Sequence, residues 1–144
     1  MRSLVLIAGA IALAACGPLH TTPPAPAEDV ATLAQIYFWR AKPGKLDEYT
    51  RYIRDVAEPI DHEAQRTGAF ISVRTYLAND STLAWTHMRV FLLRDSAQLR
   101  ALSDALTGAG VRLQPDSVKR RQQSDYSATL RDRVGATVAM IVKR

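Results

Sequence analysis

The side chains best suited to chemistry are aromatic rings, arginines and a histidine that recur at alternate positions in a few short segments. The candidates for a pocket are Tyr37, Trp39, Arg74, Tyr76, Trp85, His87 and Arg89. Aromatic walls with a few placed donors suit a planar or anionic small molecule, because arginine offers fixed hydrogen bonds to a carboxylate or phosphate. His87 could transfer a proton near neutral pH. The same residue types are enriched in dimer interfaces, so an interface without a ligand remains an alternative.

A second group of polar side chains surrounds His62, which stands between Asp61 and Glu63. Neighbouring positions on a helix do not converge on one ion, so we interpret this group as a solvated polar turn. The sequence holds no Ser/His/Asp arrangement, phosphate loop or zinc-ligand spacing. We therefore predict no metal and no cofactor, and we leave catalytic residues unassigned.

The elements that must position the candidates follow from hydrophobic periodicity. A first strand is predicted at Leu33–Arg40, a long helix from Leu46 to Ala64 with a kink at Pro59, a hairpin of Phe70–Leu77 and Leu83–Leu92, a helix from Asp95 that ends before Gly108 and Gly110, a helix at Asp116–Val134, and a last strand at Thr137–Val142. This order predicts an α+β fold, the ferredoxin-like split βαβ with an antiparallel sheet and one extra helix.

Alternation along the first three strands predicts how they divide their faces. The apolar set is expected to lie under the helices: Ala34, Ile36, Phe38, Ile71, Val73, Thr75, Leu77, Ala84, Thr86, Met88, Val90 and Leu92. The opposite face would then hold the candidate pocket residues. So many exposed rings would exceed the patch that monomers usually tolerate, so we expect a second molecule to cover this face.

The strand order, the uncovered sheet face and the length resemble the dimeric α+β barrel superfamily, over residues 30–144. That superfamily includes antibiotic-biosynthesis-type monooxygenases, stress-responsive barrel proteins, and EthD-like and NIPSNAP-like proteins. The resemblance implies a homodimer in which two sheets pair across a twofold axis, with ligands between sheet and helices or inside the barrel. The monooxygenase branch has an asparagine at a characteristic site, whereas Asn79 falls in the predicted hairpin turn.

The N-terminus has the order of a secretory signal, with Arg2 followed by an apolar stretch from Leu4 to Ala15. As a helix this stretch would reach about 18 Å, against roughly 30 Å of bilayer hydrocarbon. The sequence Leu13–Ala14–Ala15–Cys16–Gly17 resembles the lipobox of bacterial lipoproteins. The resemblance implies cleavage before Cys16 and acylation of that residue, which would anchor the chain in a lipid bilayer. We expect an outer-membrane anchor facing the periplasm.

These segments predict the organisation of the chain. Residues 1–15 are a signal peptide, residues 16–29 are a lipidated cysteine with a Pro/Ala-rich tether, and residues 30–144 are the folded domain. Cys16 is the only cysteine, so lipidation would leave no thiol for a disulfide, a metal or a nucleophile.

The chain has nineteen basic and fourteen acidic residues. Much of the excess gathers near the C-terminus: Lys119, Arg120, Arg121, Arg131, Arg133, Lys143 and Arg144. Such a run is usually a solvated helix face, although it could also contact anionic lipid. An exported protein has no expected nucleic-acid partner. The sequence thus favours an envelope lipoprotein that binds a small molecule, with a monooxygenase-like enzyme or a protein-interaction module as alternatives.

Overall fold

The structure, a computed structural model, describes residues 30–142. The predicted signal peptide, Cys16 and the tether lie outside this range. The elements are β1 (Leu33–Ala41), α1 (Leu46–Tyr52), a π-helical turn (Ile53–Ala57), α2 (Glu58–Arg66), β2 (Ser72–Leu77), β3 (His87–Leu93), α3 (Ser96–Leu113), α4 (Ser117–Leu130) and β4 (Arg131–Met140). No helix in this part of the chain combines the length and apolar character needed to cross a membrane.

The strands form one antiparallel sheet in the order β2-β3-β1-β4. The sheet and the element order confirm the predicted α+β, ferredoxin-like fold with one extra helix. The last strand begins earlier than the predicted Thr137, and the helix before it ends earlier than the predicted Val134, since β4 follows α4 directly at Arg131. The reason is strand pairing: Ala41 at the end of β1 pairs with Arg131, so the ladder extends to that residue.

The long first helix is divided by the π-helical turn, which ends two residues before the predicted kink at Pro59. Proline cannot donate a backbone hydrogen bond, and π turns often mark functional sites. Helix α3 begins as predicted, with the Asp95 side chain accepting from the backbone N–H groups of Ala97 and Gln98. It continues through Gly108 and Gly110, beyond its predicted end, because its residue Ala109 is fully buried against the core.

Two clusters of buried residues hold the helices on one face of the sheet. The larger comprises Ala64, Phe70, Phe91, Leu93, Leu102 and Ala109, with Leu33, Tyr37 and Val73 packed against it. The smaller comprises Tyr49, Ile53 and Leu130, with Trp39 beside it. Helix residues in both clusters therefore meet the same alternate set of strand residues.

This packing reverses the predicted faces of β1 and β3, whereas Val73, Thr75 and Leu77 of β2 lie under the helices as predicted. Directly paired residues of neighbouring strands point to one face, and the pairs include Tyr37 with Arg89 and Trp39 with His87. The face under the helices, called here the helix-side face, holds Leu33, Tyr37, Trp39, Val73, Thr75, Leu77, His87, Arg89, Phe91 and Leu93. The other, called the open face, holds Ala34, Ile36, Phe38, Ser72, Arg74, Tyr76, Met88, Val90 and Leu92.

The prediction failed on β1 and β3 for two physical reasons. Both alternate sets of β1 and β3 are rich in apolar groups, and the larger rings pack the core through edge contacts such as Phe70 with Phe91, whose centroids are 5.1 Å apart. In addition, alternation within one strand does not give the register between strands, so the faces of β2 were combined with the wrong sets of β1 and β3. Val73 therefore joins Phe91 under the helices, whereas Arg74 and Tyr76 lie on the open face.

Candidate functional site

A cavity of about 910 Å³ lies between the helices and the helix-side face. Its volume is within the range of small-molecule sites in proteins. The walls come from the π-helical turn and from α2, α3 and α4, and Arg89 of β3 and Arg131 of β4 contribute from the sheet. Apolar lining is supplied by Val56, Ala57, Ile60, Leu106 and Leu113, and polar lining by groups that include Asp61, Arg89, Gln123, Ser127 and Arg131.

The position of Arg131 is set by the helix that precedes it. The Asp116 side chain accepts hydrogen bonds from the backbone N–H groups of Val118 and Lys119 and so fixes the start of α4. At the other end of α4, Leu130 is fully buried in the smaller core cluster. The chain then enters β4 at once, which brings the Arg131 side chain to the cavity.

Asp61 and Arg89 form a buried ion pair at the cavity. Arg89 Nη2 donates to Asp61 Oδ2, and the two side chains are 12% and 3% exposed. Burial raises the pKa of Asp61 to about 6, although the Arg89 charge opposes that shift. The carboxyl group can therefore exchange a proton near pH 6, which is a common property of groups in functional sites.

Arg131 lies against aromatic rings instead of an acid. Its Cζ atom is 3.5 Å from the centroid of Trp39 and 5.5 Å from that of Tyr49. Burial lowers the pKa of Arg131, but arginine keeps its charge at physiological pH. Within residues 30–142 it forms no ion pair, so its charge at the cavity is not balanced by a bonded carboxylate.

Three residues of the cavity carry a buried polar atom that has no hydrogen-bond partner among the described residues. These atoms are Arg89 Nε, Ser127 Oγ and Arg131 Nε. A buried polar group without a partner costs about 1–3 kcal/mol, so native proteins rarely leave several together. Such a cluster of donors is suited to a ligand that brings hydrogen-bond acceptors.

His87, a candidate for proton transfer, lies in the core and does not line the cavity. It is 1% exposed, with Nε2 3.0 Å from Thr50 Oγ1 and Nδ1 2.9 Å from Thr86 Oγ1. Its ring also makes an edge contact with Tyr49 at 4.5 Å between centroids. Burial lowers the pKa of His87 to about 4, so the ring is neutral near pH 7. The structure places it in a hydrogen-bonded packing role.

The structure divides the other predicted pocket residues between the two faces. On the helix side, Arg89 lines the cavity, Trp39 supports Arg131, and Tyr37 packs edge-on against Phe91. Exposed on the open face are Arg74 and Tyr76. Trp85 precedes β3 and contacts the ring of Phe38, which lies on the open face. The prediction that these residues share one face is therefore wrong.

Sequence reasoning missed Asp61, Ser127 and Arg131. Asp61 was assigned to a solvated turn, but it is only 2% exposed. Asp61 lies four residues after Ala57 and three before Ala64, a helical spacing that places it on the buried side of the helix. This spacing was the signal in the sequence that could have identified Asp61. Arg131 was assigned to a solvated basic helix, and the misplaced boundary between α4 and β4 hid its position. In the described part of the chain, no three His, Cys, Asp or Glu side chains are grouped to hold a metal ion.

The architecture defines a small α+β domain of the ferredoxin-like kind, with a ligand-sized cavity between its helices and its antiparallel sheet. Among solved structures, HapK from Hahella chejuensis is similar at a TM-score of 0.52, with 10% identity over 78% of this chain and 94% of that chain. PA3566 from Pseudomonas aeruginosa gives a TM-score of 0.46, with 17% identity over 79% of this chain and 95% of that chain. The likeness to HapK supports the fold alone. Neither a family profile nor a curated protein sequence matches the chain.

Proposed function

We propose that this chain is a membrane-anchored envelope lipoprotein whose domain binds a small molecule in the cavity between the helices and the helix-side face. The observation that supports binding is a group of unpartnered polar atoms at that cavity. There, buried polar atoms of Arg89, Ser127 and Arg131 have no hydrogen-bond partner among residues 30–142, and apolar side chains such as Ile60 and Leu106 share the lining with polar ones. A few placed polar groups within an apolar cavity are typical of ligand sites.

The binding function is tested by filling the cavity. Ala128 of α4 lines it and is exposed enough to accept a larger side chain, so Ala128→Trp should block the cavity without unfolding the domain. Ala101→Trp is the matched control, because Ala101 is an exposed alanine of α3 that does not line this cavity. Native mass spectrometry of the full chain should show a discrete bound mass in the wild type and the control and none in Ala128→Trp. A bound mass retained by Ala128→Trp would contradict the proposed site.

The anchor is supported by the sequence around Cys16, where an apolar stretch and small residues precede the only cysteine. Two or three acyl chains would hold the protein stably, since one chain gives only marginal binding. The test is incorporation of labelled palmitate in growing cells, with fractionation of the envelope. Cys16→Ser should lose both the label and membrane association. If Cys16→Ser keeps both, the lipoprotein proposal is wrong.

An enzymatic role is the second candidate, and one observation favours it. The Asp61 carboxyl lies at the cavity beside Arg89, and its pKa of about 6 would allow it to act as an acid or base on a bound ligand. Asp61→Asn preserves the shape of the side chain but removes its proton exchange. If the domain is an enzyme, this variant should bind its ligand and lose turnover by about a hundredfold or more.

We further propose that a second copy of the chain covers the open face. This face presents Ile36, Phe38, Met88, Val90 and Leu92, whereas the helices of the described domain pack on the helix-side face. An apolar sheet face of this kind is a common site of protein association. A homodimer would pair the two sheets and leave the ligand cavity of each protomer on the outer side.

A further inference from the structure

We infer that the ligand of this cavity is a small organic anion with an apolar body, and that Arg131, Ser127 and the Nε group of Arg89 bind its acidic group. The inference rests on the proposed binding function and names the chemical class of the ligand. The residues concerned come from α4, β3 and β4, and all line the same cavity.

The balance of charge at the cavity favours an anion. Arg89 is paired with Asp61, which is the buried acid of the site. The other lining carboxylate, Asp55, is exposed and accepts two hydrogen bonds from Arg54. Arg131 has no such partner in residues 30–142, so its buried charge would be stabilised by a negative group of the ligand.

The remaining arginine of the lining is already engaged. Arg120 Nη1 donates to the backbone carbonyls of Gln114 and Pro115 at 2.8 and 2.7 Å, which fixes the connection between α3 and α4. Arg120 therefore already has hydrogen-bond acceptors within the domain. Arg131 differs because its Nε group is buried without a hydrogen-bond partner in the described chain.

The packing of Arg131 also prepares it to bind an acid group. The guanidinium lies over the Trp39 ring at 3.5 Å, which restricts its motion. A planar guanidinium held in this way can donate two parallel hydrogen bonds to a carboxylate or a similar anion. Because the ring occupies one flat side of the guanidinium, hydrogen bonds to a ligand would come from the N–H groups at its edge.

Ser127 provides an independent observation for the same class. Its side chain belongs to a residue only 5% exposed, and its Oγ atom has no hydrogen-bond partner in the described chain. A hydroxyl donor next to an arginine complements an acceptor such as a carboxylate oxygen. A cationic ligand would meet repulsion from Arg131 and would leave these donors unmatched.

The test compares two probes of the same shape, 1-adamantanecarboxylate and the neutral 1-adamantanecarboxamide. The full chain is used in detergent micelles at a pH of about 8, in a Trp85→Phe background that leaves Trp39 as the only tryptophan. Trp39 emission reports on the site because the ring contacts Arg131. Calorimetric titration measures the same dissociation constants without using the indole.

The carboxylate should bind at least about tenfold tighter than the carboxamide, as expected for a hydrogen bond to a charged group. Arg131→Gln should reduce this preference to about twofold or less. Arg121→Gln, which removes an exposed arginine of the same helix region that does not line the cavity, should leave the preference unchanged. Ser127→Ala is a milder variant that should weaken carboxylate binding severalfold and keeps the test valid if Arg131→Gln fails to fold.

The outcomes separate this inference from the proposed function. Equal affinity for the two probes, with both lost in Ala128→Trp, would overturn the anion inference and retain the cavity as a ligand site. A carboxylate preference that survives both Arg131→Gln and Ser127→Ala would also overturn it. Binding that is insensitive to Ala128→Trp, or no binding of either probe, would overturn the proposed function itself.

Discussion

The guanidinium of Arg131 lies over the ring of Trp39, with 3.5 Å between its Cζ atom and the ring centroid. This contact joins the start of β4 to β1, and it places a charged group of the sheet at the ligand cavity. A desolvated cation–π contact of this kind contributes about 2 kcal/mol. The same contact therefore stabilises the domain and orients the guanidinium that we infer to bind the ligand.

The first prediction concerns the two tryptophans of the chain. Trp39→Leu should lower the free energy of unfolding by about 2 kcal/mol and weaken binding of 1-adamantanecarboxylate, because Arg131 loses the ring that orients it. Trp85→Leu is the control, since Trp85 contacts Phe38 of the open face and does not line the cavity. Urea unfolding and calorimetric titration provide the two measurements. Equal losses of affinity in the two variants would show that the Trp39 contact does not orient the binding group.

The second prediction concerns the buried pair of Asp61 and Arg89. Asp61→Leu alone should destabilise the domain by about 3 kcal/mol, because it leaves the Arg89 charge buried without its partner. The double variant Asp61→Leu with Arg89→Met removes both charges and should recover stability to within about 1 kcal/mol of the wild type. The double-mutant cycle is measured by urea unfolding of the wild type, both single variants and the double variant. Additive losses would mean that the two side chains are not coupled.

The third prediction concerns the buried imidazole of His87. Burial lowers its pKa from 6.5 to about 4, so the unfolded chain takes up a proton at a higher pH than the folded chain does. The contribution of His87 is complete above pH 6.5 and falls as the pH decreases toward 4, by about 3 kcal/mol in total. Asp61 titrates in the opposite sense, since its raised pKa lowers stability as the pH rises from about 4 to 6.

These opposing effects require a comparison between variants. The difference in unfolding free energy between the wild type and His87→Phe should shrink by about 3 kcal/mol from pH 7 to pH 4. His62→Gln, which replaces an exposed histidine of α2, is measured alongside as the surface variant. Denaturant unfolding at several pH values measures both. A constant difference for His87→Phe would show that the ring titrates normally in the folded protein.

The fold could be predicted from local signals because those signals agree with the tertiary structure. Alternation in β1 and β3, the cap at Asp95 and the helical spacing that includes Tyr49 and Ile53 all describe elements that exist. Which face of the sheet the helices cover is a question of packing volume. Period two gives two sets of residues but does not distinguish them when both are apolar, as Phe38 and Phe91 illustrate.

The candidate site was harder to predict because its residues depend on that choice of face and on one helix boundary. Arg89 was predicted because arginines and a histidine alternate with aromatic residues in the predicted strands. Arg131 was assigned to a helix surface, since the end of α4 is fixed by pairing between Arg131 and Ala41, which are distant in sequence. Asp61 shows the opposite case, in which the helical spacing was available but the polar side chain was assumed to be solvated.

The last prediction concerns the open face and the proposed homodimer. Val90 lies on the central strand β3 and pairs with Ile36, so Val90→Lys would bring two like charges together where the sheets of two protomers meet. Val118→Lys is the control, because Val118 is a 64% exposed valine of α4 on the other side of the molecule. Analytical ultracentrifugation of the full chain in detergent should give two copies for the wild type and the control, and one copy for Val90→Lys with an unchanged circular dichroism spectrum. A wild-type chain that sediments as one copy would contradict the homodimer and would favour another envelope protein as the cover of this face.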